Sequence, residues 1–150
     1  MRGLYKWLLV LPSITCASPA ARASDYAWLE KQWVSDVQAT RAANPWLQQL
    51  QDQPRADFMA LFGRMRWQFA DGLFTATPGD RAAAAPAPYF VRSAGSDQFE
   101  LIIDDSPGQA VFLARRTQGG FCVRLTTSWA PELHAAVDIE PFVDECFRAL

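Results

Sequence analysis

The chain has 150 residues, 50% of them hydrophobic and 20% charged, with 14 Lys and Arg against 16 Asp and Glu. That length suits one domain able to bury a core of its own. The acidic balance, with Lys31 the only lysine after Lys6, argues against nucleic acid or anionic lipid as a partner.

The first residues have the layout of an export signal. Arg2 and Lys6 precede the apolar run Trp7 to Ala17, and "SPAARA" ends in Ala21-x-Ala23, the small-residue pattern of a cleavage site. A permanent anchor needs about 20 apolar residues, more than this run provides. The sequence therefore predicts a cleavable signal peptide over 1–23, a single periplasmic or secreted domain over 24–150, and no integral membrane segment in the mature chain. The alternative is a lipoprotein acylated at Cys16, from which Ser13 and Thr15 depart at the positions before the cysteine. Losing Arg2, Lys6 and Arg22 leaves 14 − 3 = 11 basic against 16 acidic side chains, a net charge of −5.

Helices are expected first. "SDYAWLEKQWVSDVQATRAANP" sets Tyr26, Leu29, Trp33 and Val37 at helical spacing behind Ser24 or Asp25 as N-cap. Trp33, Ser35 and Val37 also alternate as a strand would, so Trp33 stays open between a helix and a first strand. Asn44-Pro45 stops the run, and Pro45 can begin the next helix. "PRADFMALFG" predicts a helix opened by Pro54 and ended by Gly63, with Phe58, Leu61 and Phe62 on one face.

From Arg64 the period changes to two, with Met65, Trp67 and Phe69 alternating against Arg64, Arg66 and Gln68. Asp71-Gly72 is a hairpin-turn signal because both positions tolerate positive φ. Pairing across it puts Phe69 opposite Phe74 and Trp67 opposite Ala76. Four more strands follow as a meander. These are "PYFVRS", "QFELIID" with Phe99, Leu101 and Ile103 inward, "QAVFLAR", and "FCVRLTT" with Phe121, Val123 and Leu125 inward. "QAVFLAR" is apolar on both sides, which predicts a strand covered on both faces. The tail "EPFVDECFRAL" reads as a short helix with Phe142, Cys146, Phe147 and Leu150 on one side.

Cys122 and Cys146 remain after signal removal, and an isolated pair in an oxidising compartment predicts a disulfide; the alternative is two buried free thiols. Such a bridge is worth about 3–4 kcal/mol in the chain-entropy model. It would staple the tail helix to the outer face of the sheet. The fold class expected is α+β: N-terminal helices on a curved antiparallel sheet of about six strands, with a short, disulfide-tethered C-terminal helix.

Trp33, Asp36 and Thr40, then Trp67, Phe69 and Gly72, then Tyr89 and Val91 follow the order of a Trp-x-x-Asp-x-x-x-Thr element, an F-x-F-x-x-Gly element and a strand meander. Over about residues 29–126 the chain resembles a family of small exported bacterial proteins of unknown role, described as lipocalin-like. "LEKQW" lacks the glycine that family places before its tryptophan, and the cysteine-bearing tail is an addition. The resemblance implies that Trp33 begins a short strand closing a partial barrel and that the Thr40 hydroxyl caps the following helix. It implies no catalytic residue and no cofactor.

Candidate chemistry is sparse. His134 is the only histidine; Asp138 could orient it, but no serine sits in a nucleophile-elbow context. Glu132, His134, Asp138 and Glu140 fall short of a zinc or calcium pattern, so no metal is expected. Arg64, Arg66, Arg92 and Arg124 can share the sheet face opposite the core and meet an acidic partner, or be covered by the acidic tail (Asp138, Glu140, Asp144, Glu145). Trp67, Phe69 and Phe99 would line the sheet's concavity, while Trp46 and Trp129, beside prolines, are the tryptophans expected to be partly exposed. These patterns predict a non-enzymatic envelope binding domain for a small apolar or glycan ligand or for an envelope protein. The alternative is an inhibitor or immunity protein against a cell-wall enzyme, and a third reading is a hydrolase around His134.

Overall fold

The structure is a computed structural model that describes residues 23–105, 107–126 and 142–150. Its framework is eight antiparallel strands: β1 (Gln32–Ser35), β2 (Met65–Ala70), β3 (Leu73–Pro78), β4 (Ala87–Ser93), β5 (Gln98–Asp105), β6 (Gly108–Arg116), β7 (Gly120–Thr126) and β8 (Phe142–Ala149). Each pairs with its neighbours in sequence, and β1 pairs with β8, so the sheet closes into a barrel. Closure removes the exposed edges an open sheet must protect.

The expected curved sheet is therefore present, but with eight strands rather than about six and without the tail helix. Both added strands are the ones that close the ring. β8 forms where a helix was expected because Val143, Glu145 and Phe147 are buried at a period of two, while Phe142 and Leu150 of the expected helical face are exposed. β7 pairs with it from Phe142 to Arg148 and β1 from Phe147 to Ala149, and such pairing overrides local periodicity. The Cys122–Cys146 disulfide is formed. It joins directly opposed residues of two adjacent strands, rather than stapling a helix to the back of the sheet.

The first stretch divides at Leu29. Ala23–Leu29 is a 3₁₀ segment, and Trp33 lies on β1, its indole Nε1 donating to the Leu29 carbonyl at 2.8 Å. Helix α1 (Val37–Ala43) starts behind Asp36, whose Oδ1 accepts from the Gln38 and Ala39 amides at 3.0 Å, as an N-cap does. Thr40 does not take the capping role its family resemblance implied. It lies within α1, and its hydroxyl accepts from the Cys146 amide at 2.9 Å. Pro45 opens a second 3₁₀ segment, Pro45–Gln49. Helix α2 (Asp52–Met59) buries Phe58, whereas Leu61 falls beyond its end and is exposed.

The β2–β3 hairpin has the expected register, Phe69 opposite Phe74 and Trp67 opposite Ala76. Asp71 and Gly72 both have positive φ, 54° and 75°, as a two-residue turn matched to strand twist requires. Phe99, Leu101 and Ile103 are buried on β5. β6 differs from expectation: Val111 and Leu113 are exposed, so its outer face is bare rather than covered. Gly120 is required by close approach, since a Cβ there would sit 1.8 Å from the Phe147 carbonyl oxygen.

Two apolar clusters result. One fills the barrel with Trp33, Trp67, Phe69, Phe99, Phe121 and Phe147 among its members. The other, built from Leu47, Leu50, Phe58, Met59, Phe62 and Val143, packs the two helices and the second 3₁₀ segment against β8. Among the described residues, no helix is long and apolar enough to cross a membrane.

Candidate functional site

Alternation along β2 and β5 turns Trp67, Phe69 and Phe99 into the barrel, where their rings meet other rings. Trp67 stacks on Phe147 at 4.3 Å between centroids, Phe69 meets Tyr89 at 4.9 Å, and Phe99 meets Tyr26 and Trp28 at 5.6 and 5.8 Å. The three are 6%, 1% and 2% exposed, so their faces are spent on packing. Beside them, the Tyr89 hydroxyl donates to Glu30 Oε1 at 3.1 Å. Partial burial, together with that hydrogen bond and the Glu30 charge, pushes the phenol up to about 12.

The arginines point outward but do not converge. Arg66 sits on β2, Arg92 on β4 and Arg124 on β7, with Arg64 just before β2, so they are spread around the barrel. Arg92 pairs with Glu100 and Arg124 with Asp144. The expected covering by acidic tail residues is met at Asp144, whereas Glu145 turns inward. Trp129, His134, Glu132, Asp138 and Glu140 lie outside the described residues.

Trp46 and Arg124 do come together. The chain leaves α1 at Asn44, and Pro45 turns it so that Trp46 packs edge-on to Phe58, 5.5 Å between centroids. This leaves Trp46 half-buried at the wall of a groove of about 290 Å³, lined also by Asn44, Pro45, Phe142, Arg124 and Asp144. Ligand clefts span roughly 300–1,000 Å³, so the groove is at the small end of that range. On its floor the Arg124 guanidinium donates Nε to Asp144 Oδ1 at 2.9 Å and Nη2 to Oδ2 at 3.3 Å. Asp144 raises the guanidinium's already high value further, chiefly through that hydrogen bond. The pair is neutral as a unit, and three of the five guanidinium N–H donors remain outside these two bonds.

The groove floor is fixed from below by an unusual seal. β1 ends at Ser35, so on that side the β8 backbone before Phe147 has no strand partner. Side chains of α1 take its place. Thr40 accepts the Cys146 amide, and Asn44 bonds both backbone groups of Asp144, its Oδ1 accepting from the amide at 2.9 Å and its Nδ2 donating to the carbonyl at 2.9 Å. Residues 40 and 44 share one helix face, which matches the spacing along the strand. On the inner side, the Gly63 amide donates to Ser35 Oγ at 2.9 Å, and Ser35 donates to Glu145 Oε1 at 2.6 Å. Burial pushes the Glu145 carboxyl up, and the Ser35 hydrogen bond opposes this in part.

Sequence reasoning singled out Trp46 and Arg124 but not Phe142, which it placed on one side of a short helix, nor Asn44, which it took only as a stop signal. Trp46 and Phe142 lie 96 positions apart, and only closure of the ring through β8 brings them together. The chain matches no family model, no curated protein and no solved structure, so its placement rests on its own residues and geometry.

Proposed function

We propose that the protein is an exported, non-enzymatic binding domain of the cell envelope that takes a neutral glycan in the outer groove. The observation that carries this reading is the pairing of two aromatic side chains, Trp46 and Phe142, with a self-neutralised Arg124–Asp144 pair in one groove. Aromatic faces offer an apolar platform to the C–H face of a pyranose. The guanidinium and carboxylate offer adjacent donors and acceptors for vicinal hydroxyls. A groove without net charge favours a neutral ligand over a phosphorylated or sulfated one. Export is supported by the charged, apolar and small-residue succession over residues 2–23 and by the Cys122–Cys146 bridge, a bond that persists in oxidising compartments.

The test is calorimetric titration of the purified, oxidised protein with neutral oligosaccharides, including cell-wall glycan fragments. Saturable binding that weakens at least ~10-fold in Trp46→Ala and in Phe142→Ala, with a melting temperature lowered by no more than several degrees, is expected from loss of a stacking contact of about 1.4 kcal/mol. Binding equal in wild type and both variants, or absent for every glycan, would overturn the reading.

A further inference from the structure

On the opposite wall, β3 to β6 carry an apolar row that nothing in the core requires. Leu73, Phe90, Val111 and Leu113 are 42%, 56%, 55% and 39% exposed. The pairing registers make them contiguous. Phe90 lies opposite Ile102, which lies opposite Val111, and Leu73 lies opposite Pro88. Contiguous exposed apolar surface of this kind marks interaction sites on soluble proteins.

The charges around the row are arranged in a head-to-tail pattern along β5. Asp104 stands three residues to one side of Leu101. Arg115, opposite Gln98, stands three residues to the other side. Neither forms an ion pair among the described residues, whereas the charges between them, Arg92 and Glu100, already pair with each other. We infer that this face binds a second copy of the same chain, face to face, about a two-fold axis that lies in the interface and crosses β5 at Leu101.

That operation reverses the strand direction and sets the Asp104 end of one copy over the Arg115 end of the other. It also sets Phe90 against Arg92 of the second copy, where a guanidinium can lie over a ring, and Val111 against Leu113. The contact is self-complementary, as a two-fold interface must be. A two-fold axis parallel to the strands would instead put Asp104 against Asp104. The patch measures about 20 Å along the strands by about 19 Å across four of them. At roughly 400 Å² per copy it lies below the standard size of specific interfaces, so the contact is a transient one, dissociating on the order of hundreds of micromolar.

Sedimentation equilibrium of the oxidised protein from ~5 to ~500 μM tests the inference. The expected result is a reversible monomer–dimer equilibrium, weakened at least ~10-fold by Asp104→Arg and by Arg115→Asp separately. Combining the two restores it to within ~3-fold of wild type, because the reversed charges again face each other. Val111→Glu should abolish it, and all four variants should keep the wild-type melting temperature within a few degrees, since each side chain is on the outer wall. A single-chain mass at every concentration would overturn the inference. So would a dimer that ignores the single charge reversals or fails to recover in the double variant.

Discussion

Trp67 and Trp46 show how one residue type serves two ends in this barrel. Trp67 is 6% exposed and stacks at 4.3 Å on Phe147 inside the ring. Trp46 is half-buried, with one edge on Phe58 and the rest at the wall of a groove containing an ion pair. The first is held by strand alternation and contributes area removed from water. The second is held by a proline turn after a helix, which leaves part of its surface open to solvent. The difference teaches that aromatic content alone does not locate a binding site in a small barrel; what matters is which ring faces are already occupied.

The sharpest way to break the comparison is to remove both rings in turn. Trp67→Ala should cost about 3–5 kcal/mol of unfolding free energy, read from urea denaturation, because a large cavity opens among rings that cannot collapse into it. Trp46→Ala should cost about 1 kcal/mol; equal losses would mean that Trp46 is an ordinary core residue. Next in size are the bonds that hold β8 to β7 and to the end of α1. Replacing Cys122 and Cys146 together by serine should cost about 3 kcal/mol, from the loop of 24 residues' separation that the bridge closes. Asn44→Ala should cost about 1–2 kcal/mol, since it leaves part-buried backbone groups of Asp144 without their partner, and should raise amide exchange at Asp144 and Cys146.

The smallest effect concerns Glu145, and its sign is set by burial. Its folded-state carboxyl holds a proton more tightly than the unfolded one does. The folded state therefore binds more protons above the ordinary glutamate range of about 4.3, and stability falls as pH rises through the folded value. Glu145→Gln keeps an acceptor for Ser35 and removes the charge. Its urea midpoint should exceed that of wild type at pH 7 and converge with it near pH ~4. A variant less stable than wild type at pH 7 would show that the carboxylate is stabilising.

Much of the middle of the chain was readable before the structure. Period-two alternation in "RMRWQF", the Asp71-Gly72 turn and the inward set Phe99, Leu101 and Ile103 are local signals, and the register they implied is the one observed. The disulfide followed from cysteine count and context. The two closing strands were not readable in the same way. β1 has only four residues, and β8 carries a pattern that serves a helix or a strand equally until its neighbours are known. Both gain their backbone partners across long sequence separations, Ser35 with Phe147 for example. For the same reason the groove was legible only in fragments: Trp46 and Arg124 were visible as exposed candidates, while Phe142 acquires its place from ring closure.

The central claim, that the packed rings are structural and the outer groove binds, can be tested in one spectrum. The indole N–H resonances of the tryptophans, assigned by single Trp→Phe variants, are followed during titration with a neutral oligosaccharide. The account predicts a saturable shift of Trp46 with Trp33 and Trp67 unmoved. A shift of Trp67 and Trp33 with Trp46 unmoved would place the ligand inside the barrel and contradict it.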